Sequence, residues 1–347
     1  MFGANSIEHD KSVETGIRAI KEFSALGFNV VAIYLDRNND WYVKPVNPNT
    51  KDVRSASQLT IFTEKELQQP LGWQLQLNKK GQLWLELPGK LGFSRSIAID
   101  LAFPVFHGLA GEDGTLQGIC DLMQVPFLGC DLTTTALALD KVLAKDVMMS
   151  FDLPTKPYVF FTKTEWESHK DSLLLAIKKT CNMPVFVKPA RLGSSVGVSS
   201  ANDKEMLVSA IDEVFTYDTK AIVEEAVQNP TQIIVSITGN YYRPDQINVS
   251  EPVTIDTDGG VMKPLHTSQK NIEEIKEIAK RTYVSFECTG IAQVDIIRNH
   301  DTGELSVIEI DTVPHNLSIP AWEASGIEAD RLLRELVRLA DEHHARN

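Results

Sequence analysis

The sequence predicts an α/β protein with parallel or mixed sheets. Short β-branched or aromatic runs alternate with longer stretches of helical period, the pattern of strands interleaved with helices. The 347 residues, 43% hydrophobic and 23% charged, are also enough chain for two or three domains around buried cores. That composition excludes disordered, collagen-like and disulfide-scaffold classes.

In the first unit, residues 12–26 place Val13, Ile17, Ile20 and Phe23 at helical spacing, Gly27 supplies a stop, and residues 29–35 follow as a strand. A second strand is expected over 96–106, ending in His107-Gly108-Leu109-Ala110-Gly111-Glu112-Asp113-Gly114. Polar turns and hairpin-like pieces such as 82–87 fill the interval. Further on come a helix over 135–151, a strand at 158–161, a charged helix over 164–180, and a hairpin-like pair at 184–189 and 196–198. Strands at 221–227, 232–239, 291–298 and 305–311 and a closing helix ending near His344 complete the chain. There is no repeat, low-complexity tract or long linker, so the boundaries are placed by motif: 1–133, 134–218 and 219–347.

With 34 Lys and Arg against 47 Asp and Glu, the net charge of −13 would repel a phosphate backbone, and nucleic acid is not expected as a partner. A nucleotide is not excluded, because local lysines, backbone amides and divalent ions set the potential inside a cleft. The four cysteines, Cys120, Cys130, Cys181 and Cys288, form no C-x-x-C pair, which fits a reducing cytoplasm. No run of eighteen apolar residues exists, and residues 1–10 lack the basic and apolar regions of a secretory signal. A cytoplasmic protein without a membrane partner is expected.

Three segments carry the chemistry. In residues 187–197, Lys188 at a strand end precedes Gly193-Ser194-Ser195, so an ammonium, backbone N–H groups and two hydroxyls can surround a phosphate. Taken alone, the segment also reads as a mobile hairpin tip with an incidental lysine. In the second, Glu309 and Asp311 alternate onto one strand face, and a neighbouring strand carrying Asp295 would complete a three-carboxylate cluster. Hard oxygen ligands of this kind suit Mg²⁺ or Mn²⁺ bridging ATP phosphates; solvent-facing acids are the alternative. In the third, residues 221–227 form an apolar strand ending at Glu224 and Glu225, where exposed backbone can pair with an adenine edge.

In this order the pieces resemble the D-alanine-D-alanine ligase family of the ATP-grasp superfamily, over nearly the whole chain. The matching stretches are Ser6-Ile7-Glu8-His9-Asp10-Lys11-Ser12, His107-Gly108 with Gly111-Glu112-Asp113-Gly114, Asp140-Lys141 with Lys145, residues 184–197, Glu224-Glu225, Asp295, and residues 309–314. The resemblance implies an ATP-grasp fold behind an N-terminal Rossmann-like α/β domain, with ATP held between the central and C-terminal domains. It implies a ligase that activates one amino-acid carboxylate as an acylphosphate, which a second amine attacks, for peptidoglycan precursor synthesis by family default. Such chemistry depends on charge neutralisation and positioning.

Residue by residue, the resemblance makes Lys141 and Lys188 phosphate-binding lysines and puts Ser194 and Ser195 in a phosphate-covering loop. It puts Glu224, Glu225, Ala226 and Val227 at the adenine, Asp295, Glu309 and Asp311 at Mg²⁺ or Mn²⁺, Glu8 on the first substrate's ammonium, and His107 on the substrate side. A homodimer is the family's usual assembly, and Leu332, Leu333, Leu336 and Leu339 of the closing helix read as core or subunit contact.

The chain also departs from the family. Asp311 replaces an Asn, and Gln293 replaces an Arg that stabilises the tetrahedral intermediate, a loss of about 2.7–4 kcal/mol by analogy with oxyanion-hole deletions. His315 stands where the family has Gly, Pro320 follows the acceptor stretch, and Gln232 replaces a ribose-binding Glu. The Tyr-rich lid is missing between Glu251 and Asn271, leaving Lys263 as a substitute for the lid lysine. An apolar first strand is largely absent ahead of residue 6, which points to a late start codon or a differently built N-terminal sheet. His315 would sit beside the metal site, as a base or a donor to another second substrate; His9, His266, His300, His343 and His344 read as solvated. Three readings stay open: the family ligase, a ligase for a different amino-acid or acid pair, and an ATP-binding homologue without turnover.

Overall fold

The computed structural model describes residues 1–46, 74–77, 83–87, 95–193, 196–255 and 262–346. Strand β1 (Phe2–Gly3) runs parallel to β2 (Val31–Leu35), which pairs antiparallel with β3 (Trp41–Pro45). Helix α1 (His9–Ala25) lays Ile17 and Ile20 on this sheet against Phe2, Ala32, Tyr34 and Val105, as its apolar period predicts. His9 departs from expectation. The first turn of α1 points it inward, where Nδ1 lies 2.7 Å from the Ala4 carbonyl and Nε2 3.2 Å from the Tyr34 hydroxyl.

Strands β4 (Gln74–Leu77), β5 (Leu83–Leu87) and β6 (Arg95–Ala98) form a separate antiparallel sheet. The long strand expected over 96–106 therefore stops at Ala98. Beyond it the backbone finds scattered partners: Ala102 bridges Phe127, and the Val105 N–H donates to the Met1 carbonyl at 2.9 Å. Pro104, which has no N–H to give, interrupts any regular ladder there.

After α2 (Thr115–Leu122), the single helix expected over 135–151 is two helices, α3 (Leu132–Leu139) and α4 (Lys141–Ser150). Asp140 leaves the helical region at φ −82°, ψ 102°, and its Oδ1 accepts the Val142 and Leu143 N–H groups at 3.1 and 3.3 Å, capping α4. Ala138, Ala144 and Met148 of this pair pack into the core of the C-terminal sheet.

The central sheet runs in the order β7-β10-β8-β9, from β7 (Tyr158–Thr162), β8 (Val185–Pro189), β9 (Ser199–Ala201) and β10 (Lys220–Glu225), all antiparallel. Helices α5 (Lys163–Thr180) and α6 (Lys204–Val214) cover it over Phe161, Trp166, Val187, Ile211 and Val223. The hairpin's second strand is β9 at 199–201, later than the 196–198 expected, because Val187 opposes Ser199 and Val185 opposes Ala201. The division expected at 218 falls ahead of β10, which hydrogen-bonds to both β7 and β8; we propose a division after Glu225.

The largest sheet runs in the order β14-β13-β11-β15-β16, with β12 beside β11. Its strands are β11 (Pro230–Asn240), β12 (Asn248–Val249), β13 (Val253–Ile255), β14 (Met262–Pro264), β15 (Thr289–Asn299) and β16 (Leu305–Asp311), again antiparallel. Helices α7 (Gln269–Ser285), α8 (Ile319–Ala324) and α9 (Ala329–His344) pack against it. Leu332, Leu333, Leu336 and Leu339 of α9 are core: each is at most 2% exposed, packed with Ala19 and Phe23 of α1. Burial of this kind contributes roughly 1.5–3 kcal/mol per leucine. Among the described residues, no helix is long and apolar enough to cross a membrane.

Candidate active site

Alternation along β8 and β10 turns Lys188 and Glu224 to one face, where the edge of the central sheet meets α4. The buried Glu224 carboxylate pairs with Lys188 through Oε1 and with Lys145 of α4 through Oε2, the latter at 2.9 Å. Burial alone would raise its pKa, but the Lys188 and Lys145 ammoniums outweigh burial and bring it down to about 2. The Asp140 cap turns Lys141 to the same region, where its Nζ donates to the Leu192 carbonyl at 2.5 Å, while Asp140 itself pairs with Lys220. Lys145 and Lys188 thus converge on Glu224, while Lys141 reaches the Leu192 carbonyl in the loop after β8. Ser194 and Ser195 of that loop lie outside the described residues.

Gly193, at the root of the loop, meets the N-terminal motif. A Cβ there would lie 2.9 Å from Oε2 of Glu8, and a Cβ on Gly108, whose φ is +76°, would lie equally close to the same oxygen. The Glu8 carboxylate is therefore wedged between the His-Gly turn and the loop of the central sheet, in a space that only glycines leave. Next to it, the Asn316 N–H donates to Thr15 Oγ1 at 3.4 Å, Thr15 lies 3.1 Å from His107 Nε2, and His107 Nδ1 lies 3.3 Å from Glu112 Oε1. Burial lowers the His107 pKa, which favours the neutral ring.

The carboxylates predicted to hold a metal share one face of β15 and β16: Asp295 opposes Glu309, and Gln293 opposes Asp311. Burial, then the neighbouring Glu309, raises Asp295 to about 8; burial, then Glu112, raises Asp311 to about 7; burial, then Glu8, raises Glu112 to about 8. Among the described residues no three His, Cys, Asp or Glu side chains stand close enough together to hold an ion. The donor chemistry nonetheless fits a hard divalent cation, since three carboxylates share one sheet face and neighbouring carboxylates raise both Asp295 and Asp311.

Gln232, expected at the ribose, donates from Nε2 to Oδ2 of Asp295 at 3.3 Å. Gln293 donates from Nε2 to Oδ1 of the same carboxylate at 2.8 Å and accepts from Ser318 Oγ at 2.8 Å. At the adenine end, Glu225 binds the Asn182 backbone and side chain, and the Glu225 and Ala226 N–H groups donate to the Pro157 and Pro184 carbonyls. Val227 lies two residues past β10. Lys263 is exposed on β14, and residues 256–261 before it lie outside the described residues.

The acceptor stretch is a short turn. Asn316, Leu317 and Ser318 follow one another at φ +50°, +56° and +48°, conformations costing of order 1–3 kcal/mol each in non-glycine residues. His315 projects from this turn, half-exposed, with Nε2 3.5 Å from Glu14 and its ring 6.0 Å from that of His107. Sequence reasoning did not assign Thr15, Glu112, Lys145 or Ser318. Glu112 and Lys145 sat inside quoted motifs; Thr15 and Ser318 carry no local signal.

Residues 1–130 match the family described as D-ala D-ala ligase N-terminus, and residues 147–338 the family described as D-ala D-ala ligase C-terminus. A D-alanine–D-alanine ligase of Caldicellulosiruptor bescii is 33% identical over 99% of this chain and 94% of its own length. One from Bacillus velezensis is 30% identical over 99% and 98%. In three dimensions the chain is similar to the D-alanine-D-alanine ligase from Coxiella burnetii, at TM-score 0.81 and 24% identity over 99% of this chain and 93% of that one. It is also similar to the VanG D-Ala:D-Ser ligase from Enterococcus faecalis, at TM-score 0.79 and 25% identity over 98% and 97%. With an α/β ATP-grasp fold like that of the solved ligases and family matches over both 1–130 and 147–338, the chain belongs to the D-alanine–D-alanine ligase family of ATP-dependent dipeptide ligases.

Proposed function

We propose that this ligase joins D-alanine to a second small D-amino acid, with D-alanyl-D-alanine for peptidoglycan synthesis in the cytoplasm as the leading product. The observation that carries this reading is Glu8, whose carboxylate lies between Gly108 and Gly193, within the reach of an ammonium held beside the phosphate loop. Lys141 and Lys188 take the ATP phosphates, Ser194 and Ser195 close over them, and residues 224–227 receive the adenine. Asp295, Glu309 and Asp311 hold Mg²⁺, or Mn²⁺, which when bound neutralises phosphate charge. Glu8 orients the first amino acid so that its carboxylate takes the γ-phosphoryl group, and the amine of the second attacks the acylphosphate, releasing phosphate. The neutral His107, tied to Glu112 and Thr15, keeps the donor side rigid.

The acceptor reading rests on two positions, His315 in the turn at 314–318 and the neutral Gln293 on β15, which stand where the family has Gly and Arg. This favours a broader search than D-alanine alone, and the likeness to a D-Ala:D-Ser ligase gives it a direction. Phosphate release from MgATP should be measured with D-Ala alone, then with D-Ala plus D-Ser, other D- and L-amino acids or hydroxy acids, with mass spectrometry of products. D-Ala-dependent release with the dipeptide as product is the expected result. Release only with another pair would replace the acceptor assignment, and no release with any amino acid would overturn the reading.

A further inference from the structure

The acceptor turn and the metal face are joined by a side-chain relay that crosses from one to the other. Ser318, wholly buried, donates its hydroxyl to Gln293 Oε1, and Gln293 Nε2 donates to Oδ1 of Asp295, each at 2.8 Å. Both ends of the Gln293 amide are thereby used within the fold. The two orientations of that amide are not equivalent, because the reverse one would set Oε1 against a carboxylate oxygen and leave the Ser318 proton without its acceptor. Gln232 approaches Oδ2 from β11, so each Asp295 oxygen has an amide donor on it. Removing a group that orients a ligating carboxylate in this way typically costs about 10–100-fold in metal affinity.

Ser318 adopts a left-handed backbone, φ +48°, at the third of three successive left-handed residues. A glycine would take that conformation more easily, yet the residue carries a hydroxyl, whose one side-chain bond among the described residues is to Gln293. We propose that Ser318 and Gln293 are positioning residues for the metal: a clip that fixes the Asp295 carboxylate and links it mechanically to the acceptor turn. This rests on the assignment of Asp295 as a metal ligand. Its corollary is that neither Ser318 nor Gln293 is available to hold the second substrate's carboxylate, so that contact falls to other groups on the turn.

The test is direct titration of Mn²⁺ into the nucleotide-free full-length protein, followed by the electron paramagnetic resonance signal of free Mn²⁺. Ser318→Gly removes the hydroxyl while relieving the left-handed backbone, and should weaken Mn²⁺ binding roughly tenfold or more with the melting temperature held or raised. Gln293→Met, which keeps the side-chain length without the amide, should weaken it to a similar degree and reads the same relay should the glycine variant not fold. Wild-type Mn²⁺ affinity in both variants, with Asp295→Asn impaired, overturns the clip and leaves the metal assignment standing. Wild-type affinity in Asp295→Asn overturns the metal assignment and the clip with it.

Discussion

Glu224 gives the fold stability above its ordinary pKa of 4.5 and loses it as pH falls through its folded value of about 2. The sign follows from linkage: the unfolded chain binds the proton first, so acid favours unfolding across that window. The contribution near neutrality is on the order of 3 kcal/mol, and denaturant unfolding between pH 6 and 2.5 should show it as a slope that Glu224→Gln abolishes. Gly193→Ala acts differently. Its new methyl would press on the flexible end of Glu8, so steady-state kinetics should show a raised KM for the first amino acid, roughly tenfold, with the melting temperature almost unchanged. Glu8, Lys188 and Asp295 were legible in the sequence because each lies in a motif whose order survives without tertiary knowledge. Thr15 and Ser318 were not, since their roles come only from partners 92 and 25 residues away. Gln232 was legible as a position, but its partner Asp295, 63 residues on, was not.

Asp140 shows the same limit at the scale of an element. Apolar periodicity runs through 135–151 without a gap, and Asp140, like Asp146 further along it, reads as an exposed helical residue. Only the structure shows that it leaves the helix, caps α4 and pairs with Lys220. Asp140→Ala should therefore cost about 1–2 kcal/mol for the cap, and a weaker nucleotide site should accompany it because Lys141 is the first residue of the capped helix. Urea denaturation and ADP titration of the one variant would separate the two effects. The strand over 96–106 failed for a reason that was visible, Pro104, whereas β11, β15 and β16 were placed within a few residues by their β-branched runs.

Over the whole molecule, alternation of strands and helices identified the class but not the direction of the strands: the central and largest sheets are antiparallel, and β1 with β2 supplies the one parallel pair of named strands among the described residues. Direction depends on which neighbours pair, which periodicity does not encode. Leu336→Ala, at the centre of the packing between α9 and α1, should destabilise by about 2–5 kcal/mol in denaturant unfolding, while the folded fraction retains nucleotide binding. That packing has a further consequence during synthesis. Phe23 finds nearby partners in Phe28 and Phe103, but the cluster it shares with Ala19 is completed by Leu332, Leu333, Leu336 and Leu339, some three hundred residues later in the chain. At ribosomal rates of about 5–20 residues per second, α1 emerges on the order of 15 to 60 seconds before the helix that covers it. Until then part of its outer apolar face is open to chaperones, and a ribosome stalled before residue 330 would leave a nascent chain whose first helix is only partly covered.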